Sequence, residues 1–163
     1  MGTSREQLLD ILGHVVDPEI PVLNVVEMGI VRDAKFEAGR VHVEITPTYS
    51  GCPAMKEIQD DIVAALNSSG FRNVTIETVY APAWTSEWLT DSAKQKLKSY
   101  GISPPGMVSD EVIVLLPTIG RNVTCPFCDS NDTELRSEFG STACKAFHYC
   151  NSCKQPFEHF KEI

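Results

Sequence analysis

Hydrophobic residues in the first part of the chain follow two periods in turn. Leu8, Leu9, Ile11, Leu12 and Val15 recur at helical spacing. Ser4 with Gln7 three residues on forms a capping box that opens this helix, and the prolines at 18 and 21 predict its end. Residues 22–31 are apolar and β-branched apart from Asn24, Glu27 and Gly29, which predicts a strand within them. Gly39-Arg40 predicts a turn. Val41, Val43 and Ile45 then alternate with His42 and Glu44, the pattern of a strand with one wet face. Residues 46–53 are rich in turn formers. A second helix is predicted over 54–69, with Met55, Ile58, Ile62 and Leu66 on one side and Gly70 closing it. Val74 and Ile76, with Val79 as an extension, predict a third strand that Pro82 ends. A basic amphipathic helix follows over 90–100 and closes at Gly101. The order helix, strand, strand, helix, strand, helix predicts an α/β layer: a sheet of three or more strands with helices on one side.

Pro104-Pro105-Gly106 reads as a linker, and residues 112–116 as a short strand at a junction. Beyond it the pattern changes to alternating β residues around cysteines. Cys125-Pro126-Phe127-Cys128 and Cys150-Asn151-Ser152-Cys153 are two C-x-x-C hooks. Residues 133–139 and 146–149, joined through Gly140-Ser141-Thr142, are the strands of a hairpin between them. Two hooks facing each other make a tetrahedral sulfur cage, the layout of a small all-β zinc ribbon. Such a domain has too small a core to fold without a staple. Structural zinc at Cys125, Cys128, Cys150 and Cys153 is the expected occupant, with a rubredoxin-like iron or a cluster as rivals. The residues after each hook, Asp129 and Lys154, stand where such knuckles often use glycine. Lysine tolerates a left-handed backbone poorly, which counts against the rubredoxin comparison. Cys144 reads as a small buried residue or, more sharply, as an alternative or transient ligand. His148 could also substitute as a ligand, although strand alternation points it toward solvent or a neighbouring domain. His14, His42 and His159 carry no spacing signal.

Composition narrows the function classes. The net charge of −8 excludes a broad nucleic-acid footprint. No apolar stretch approaches the ~18 residues of a membrane span, and no leader pattern opens the chain. Five of the six cysteines lie between 125 and 153 in metal spacing rather than as a disulfide framework, which predicts a cytoplasmic protein with reduced thiols. The sixth is Cys52, followed by Pro53 at the start of the second helix. With Pro53 at the first helical position, Cys52 becomes the N-cap, and the helix dipole would favour its thiolate. It is then a nucleophile, a metal ligand or a residue that merely fits the corner. A covalent enzyme would need a base, and nothing marks His14 or His42 as one. Asp17 and Glu19, at the first proline corner, are either a helix stop or a carboxylate pair near the Cys52 loop.

Three motifs together resemble a known family. Asp17-Pro18-Glu19-Ile20-Pro21, Glu27-Met28-Gly29-Ile30-Val31 and Thr46-Pro47-Thr48-Tyr49-Ser50-Gly51-Cys52-Pro53 resemble the SufT-like domain of iron–sulfur assembly factors, with Cys52 on the family's cysteine. Ala81-Pro82-Ala83-Trp84-Thr85, the 101–105 stretch, residues 137–146 and Pro156-Phe157 extend the resemblance to the PaaD/PaaJ family of the bacterial phenylacetyl-CoA epoxidase system. The resemblance implies a SufT-like iron–sulfur assembly domain over 1–105, a linker or junction strand over 106–120 and a zinc ribbon over 121–163. It implies an accessory protein rather than an enzyme, acting in aerobic phenylacetate degradation. Its partners would be the oxygenase or reductase components of the epoxidase. Cys52, with Asp17 and Glu19, would hold or pass an iron–sulfur cluster or iron, and a homo-oligomer sharing Cys52 would supply missing ligands. The alternatives are a zinc-binding docking subunit with Cys52 inert, or a rubredoxin-like electron carrier. No Glu-x-x-His pair on a predicted helix offers a di-iron site, and no glycine-rich fingerprint offers a reductase site.

Overall fold

A computed structural model describes residues 3–106 and 123–163. The predicted junction strand over 112–116 lies outside the described residues. The chain divides into two compact units, 1–93 and 94–163.

Unit 1 opens with α1 (Arg5–Leu12), and both arms of the predicted capping box are made between Ser4 and Gln7. The helix is shorter than its apolar spacing suggests, because Gly13 caps it and Val15 is buried from a turn beyond it. The following strand also lies later than expected. Residues 25–29 form turns, and β1 is Val31–Glu37. The reason is Asn24. Its side chain accepts from the N–H groups of Val26 and Glu27, while Glu27 accepts from the N–H of Asn24. A polar side chain thus satisfies backbone that a strand would have paired. The apolar residues of the run, Leu23, Val25, Met28 and Ile30, are buried all the same.

β1 turns back through Ala38 and Gly39, both at positive φ (50° and 77°), into β2 (Arg40–Ile45). Two central residues of that kind match a hairpin turn to the twist of its strands. After a loop, α2 (Met55–Ser68) crosses over to β3 (Val74–Thr78), which pairs parallel to β2. The sheet order is β1-β2-β3. Its inner residues Ala34, Val41, Val43 and Ile45 are buried, as are Leu8 and Leu12 of α1 and Ile58, Ile62 and Leu66 of α2. His42, Glu44 and Glu77 pair on the wet face.

Two distant stretches meet beside this layer. Trp84 donates its ring N–H to the Met28 carbonyl at 2.8 Å. Arg32 donates to the Pro82 carbonyl and lies over the Trp88 ring. Gly29 has φ of +71°, and a Cβ there would meet the Trp88 Cβ at 2.9 Å, so only glycine fits.

Helix α3 (Asp91–Tyr100) spans the division between the units and ends at Gly101, φ +90°. In unit 2, Ile102–Ser103 forms β4, although the following prolines read as linker. Pairing parallel to a neighbour outweighs that local signal. The predicted hairpin is β5 (Thr133–Ser137) and β6 (Lys145–Cys150), followed by β7 (Pro156–Phe160). The sheet order is β4-β7-β6-β5.

Candidate functional site

The two hooks sit at neighbouring ends of the ribbon, and all four sulfurs lie within 4.8 Å of one another. Across the hooks, Cys125 and Cys153 are 3.7 Å apart and Cys128 and Cys150 are 3.6 Å apart. Sulfurs bound at about 2.3 Å to one tetrahedral ion would stand roughly 3.8 Å apart, so these two pairs already have the spacing of metal ligands. Each hook is a tight knuckle. Asp129 donates its N–H to the Cys125 carbonyl and Lys154 to the Cys150 carbonyl, both at 3.0 Å. Both residues adopt the left-handed backbone, at φ of 58° and 61°. The side chains expected to resist this conformation therefore accept it, and the local objection to a rubredoxin-like knuckle falls away. The knuckle hydrogen bonds offset the strain. Cys125 and Cys150 are buried with Val123 and Phe157, which makes the cage part of the ribbon's small core. N–H groups of the second knuckle, Cys153 first, hold the Cys150 thiol down at about 6, while burial pushes Cys153 up to about 12. Protons are thus shared unequally around the cage, and a bound cation would displace them.

Cys144 is buried, and its sulfur lies 3.1 Å from the Thr142 hydroxyl. Among the described residues the thiol cluster consists of the four hook cysteines, without Cys144 or His148. His148 does not face solvent. It is buried, stacked on Phe157 and edge-on to His159, each at 5.6 Å between ring centres. Burial and the neighbouring His159 hold it down at about 4. His159, which carries no sequence signal, is buried too. Its Nδ1 lies 3.2 Å from the Ser103 carbonyl and its Nε2 3.3 Å from Glu162. Only the strand register reveals this, since β4 enters the sheet from far upstream in sequence.

The second candidate site lies in unit 1, in the loop between β2 and α2. Gly51, at φ of +81°, turns the chain into Cys52. The helix starts later than expected: Ala54 is its N-cap residue, so Cys52 is not the cap. The thiol still feels the helix start, because the Ala54 N–H hydrogen-bonds the sulfur, as does Thr48. The net effect on its acidity is the reverse of the expectation. Burial, followed by the charges of Glu19 and Asp17, raises the Cys52 pKa and outweighs the backbone bond. Glu19 and Asp17, the two carboxylates of the first proline corner, are thus among the charges that bear on this thiol. Asp17 is buried and accepts the N–H groups of Glu19 and Ile20, which fixes the corner. Thr46, at the start of the loop, has a buried hydroxyl with no hydrogen-bond partner among the described residues. What results is a half-buried thiol beside acidic groups, and among the described residues no imidazole is recorded as acting on it.

Comparisons with known proteins follow this division. Residues 5–78 match the family described as "Iron-sulfur cluster assembly protein", and residues 114–161 match the "PaaD zinc beta ribbon domain". The D component of the "Putative 1,2-phenylacetyl-CoA epoxidase" of Escherichia coli (strain K12) is 44% identical over 94% of this chain and 90% of its own length. The Bacillus subtilis (strain 168) "Fe-S protein maturation auxiliary factor YitW" is 33% identical over 55% of this chain and 89% of its own. Among solved structures, a "Domain of Unknown Function DUF59 from Bacillus anthracis" has 27% sequence identity and a TM-score of 0.53, covering 57% of this chain and 90% of that one. No helix among the described residues is long and apolar enough to cross a membrane. A relative that similar over nearly the whole of both chains, with both family matches in order, places this chain in the PaaD family of phenylacetyl-CoA epoxidase systems.

Proposed function

We propose that this protein is a non-catalytic accessory factor of the phenylacetyl-CoA 1,2-epoxidase system in aerobic phenylacetate degradation. It matures or delivers an iron–sulfur cluster, or iron, to the oxygenase or reductase components. The assembly domain lies within residues 1–105, its compact unit ending at 93, and residues 121–163 are the ribbon. The observation that carries the reading is the setting of Cys52. Carboxylates that discourage a thiolate in the empty loop attract a cation, so Asp17 and Glu19 favour iron at the sulfur and return it to a protonated thiol on release. One thiol is too few for a resident cluster, which suits a cargo that moves on. A second copy or a partner protein would supply the remaining ligands. Structural zinc in the cage of Cys125, Cys128, Cys150 and Cys153 holds the ribbon, which acts in the cytoplasm where thiols stay reduced.

A specific observation favours a second reading. The Cys52 thiol is held protonated, and the ribbon exposes Phe139 and Phe147. Under that reading the protein is a zinc-binding docking subunit and Cys52 is inert. The test is iron and zinc per chain in protein isolated without oxygen, wild type against Cys52→Ser. In parallel, cluster occupancy of the reductase is read in cells carrying only the variant. Zinc in both, iron only in the wild type and an under-loaded reductase are expected. Equal reductase loading would leave only the docking role.

A further inference from the structure

The first knuckle touches more than metal. Phe127, between Cys125 and Cys128, lies against the residue that ends α3: a Cβ built at Gly101 would come 3.1 Å from two atoms of its ring. Asp129, directly after Cys128, forms an ion pair with Lys98 in the last turns of α3. Leu97 beside it is fully buried. Past Gly101, β4 pairs with β7, Ile102 against Glu158 and Ser103 against His159. The Ser103 carbonyl meets the His159 ring, and Glu162 accepts the Gly106 N–H at 2.8 Å. Among the described residues, the 94–106 stretch thus meets the ribbon at Lys98, Gly101, Ile102, Ser103 and Gly106, and neither family match, 5–78 or 114–161, includes it.

We infer that metal in the cage orders residues 94–106 as well as the hairpin, making the end of α3 and β4 a metal-dependent extension of the ribbon. This rests on the reading of the cage as a metal site. Phe127 and the left-handed Asp129 both belong to the knuckle that a metal stabilises, and both meet the end of α3. Remove the metal, and the knuckle no longer presents either side chain in place. A two-residue strand and the frayed end of a helix keep little protection of their own. Linkage makes the effect reciprocal: loosening α3 must weaken metal binding by the same factor.

Hydrogen exchange of the full chain, zinc-loaded and then stripped with a chelator, tests this, with zinc content measured in each sample. Amides of residues 96–103 should lose at least about tenfold in protection along with those of 133–160, while 31–45 and 55–68 keep theirs. Retained protection at 96–103 in the metal-free chain overturns the coupling. Phe127→Ala, at an exposed non-ligand position, supplies the second measurement in zinc-loaded protein, and it decides the matter should the stripped chain unfold throughout. It should lower zinc affinity about 5-fold and speed exchange at 96–103. Unchanged affinity and exchange overturn the inference. A wild-type chain that takes up no zinc overturns the cage reading itself, a result distinct from either of these.

Discussion

The Cys52 loop and the ribbon cage both present cysteine sulfur, but they are built on opposite plans. In the cage four thiols converge within 4.8 Å, two of them fully buried, on two knuckles each closed by a backbone hydrogen bond. In the loop a single half-buried thiol stands under the influence of two carboxylates, on a unit with a full hydrophobic core of its own. The cage is a site the fold depends on, whereas the loop is a site the fold merely presents. Under the proposed function, that difference separates a metal kept from a metal passed on. It also says where a substitution must hurt stability and where it must not.

The largest expected effect is therefore at the cage. Cys150→Ser removes a buried ligand, and structural zinc contributes on the order of 10 kcal/mol or more to folding a domain of this kind. The ribbon resonances should collapse in an NMR spectrum and zinc should fall to zero per chain, while the signals of β1 to β3 persist. Loss of the sheet signals from both units would mean that unit 1 does not stand alone, and the comparison would fail. A smaller effect is expected inside the core of unit 1. Gly29→Ala sets a Cβ 2.9 Å from the Trp88 Cβ at a φ of +71°. Urea denaturation of unit 1 should show a loss of about 1–3 kcal/mol with zinc retained.

The legibility of the two sites in sequence differs for the same reason. The cage is written locally: two hooks at fixed spacing and a hairpin with glycine at its turn, so ligands and strands are read directly. The loop site depends on tertiary proximity. Asp17 follows α1 and Cys52 precedes α2, and no spacing in the sequence links the two. The helix-start argument also misread the sign at Cys52, because desolvation and two carboxylates outweigh one N–H bond from Ala54. In the fold, periodicity finds α2 and β2 nearly to the residue. It misplaces β1, since an apolar run looks like a strand whether it is paired or, as here, coiled into turns by Asn24. β4 is invisible for a third reason: two residues before a proline pair carry no period, and their pairing is set by β7 far downstream.

Acid should take the two units apart by different routes. In the ribbon, protons compete with metal for thiolates. In unit 1 they compete with ion pairs, most clearly at Asp33, where Lys35 and then Arg5 hold the carboxyl at about 2, at distances of 2.8 and 2.9 Å. A depressed folded-state pKa gives stability that is present above the unfolded value of 3.8 and is lost as pH falls toward about 2. Both cationic partners are about half exposed, so solvent screening limits the contribution to about 1 kcal/mol. Asp33→Asn should lower the urea midpoint of unit 1 at neutral pH. The gap to wild type should close between pH 3.8 and about 2, and a gap constant across that range would remove Asp33 from the acid response.

The smallest effect on stability should come from the same substitution that has the largest one in the cage. Cys52→Ser exchanges a half-buried sulfur for an oxygen that can still accept the Ala54 N–H and still meet Thr48. Cys52 is not among the buried hydrophobic residues of the core. The denaturation midpoint should move by less than about 1 kcal/mol, the ordinary range for a site without a cavity, cap or buried charge at stake. Iron retention without oxygen should fall to background in the same sample. A large loss of stability would make Cys52 a packing residue, and the loss of iron would then follow from damage to the loop rather than from a missing ligand. A neutral midpoint with iron lost would leave the sulfur itself as the cause. Two cysteines on one chain, changed in the same way, would then separate holding a fold from handling a cargo.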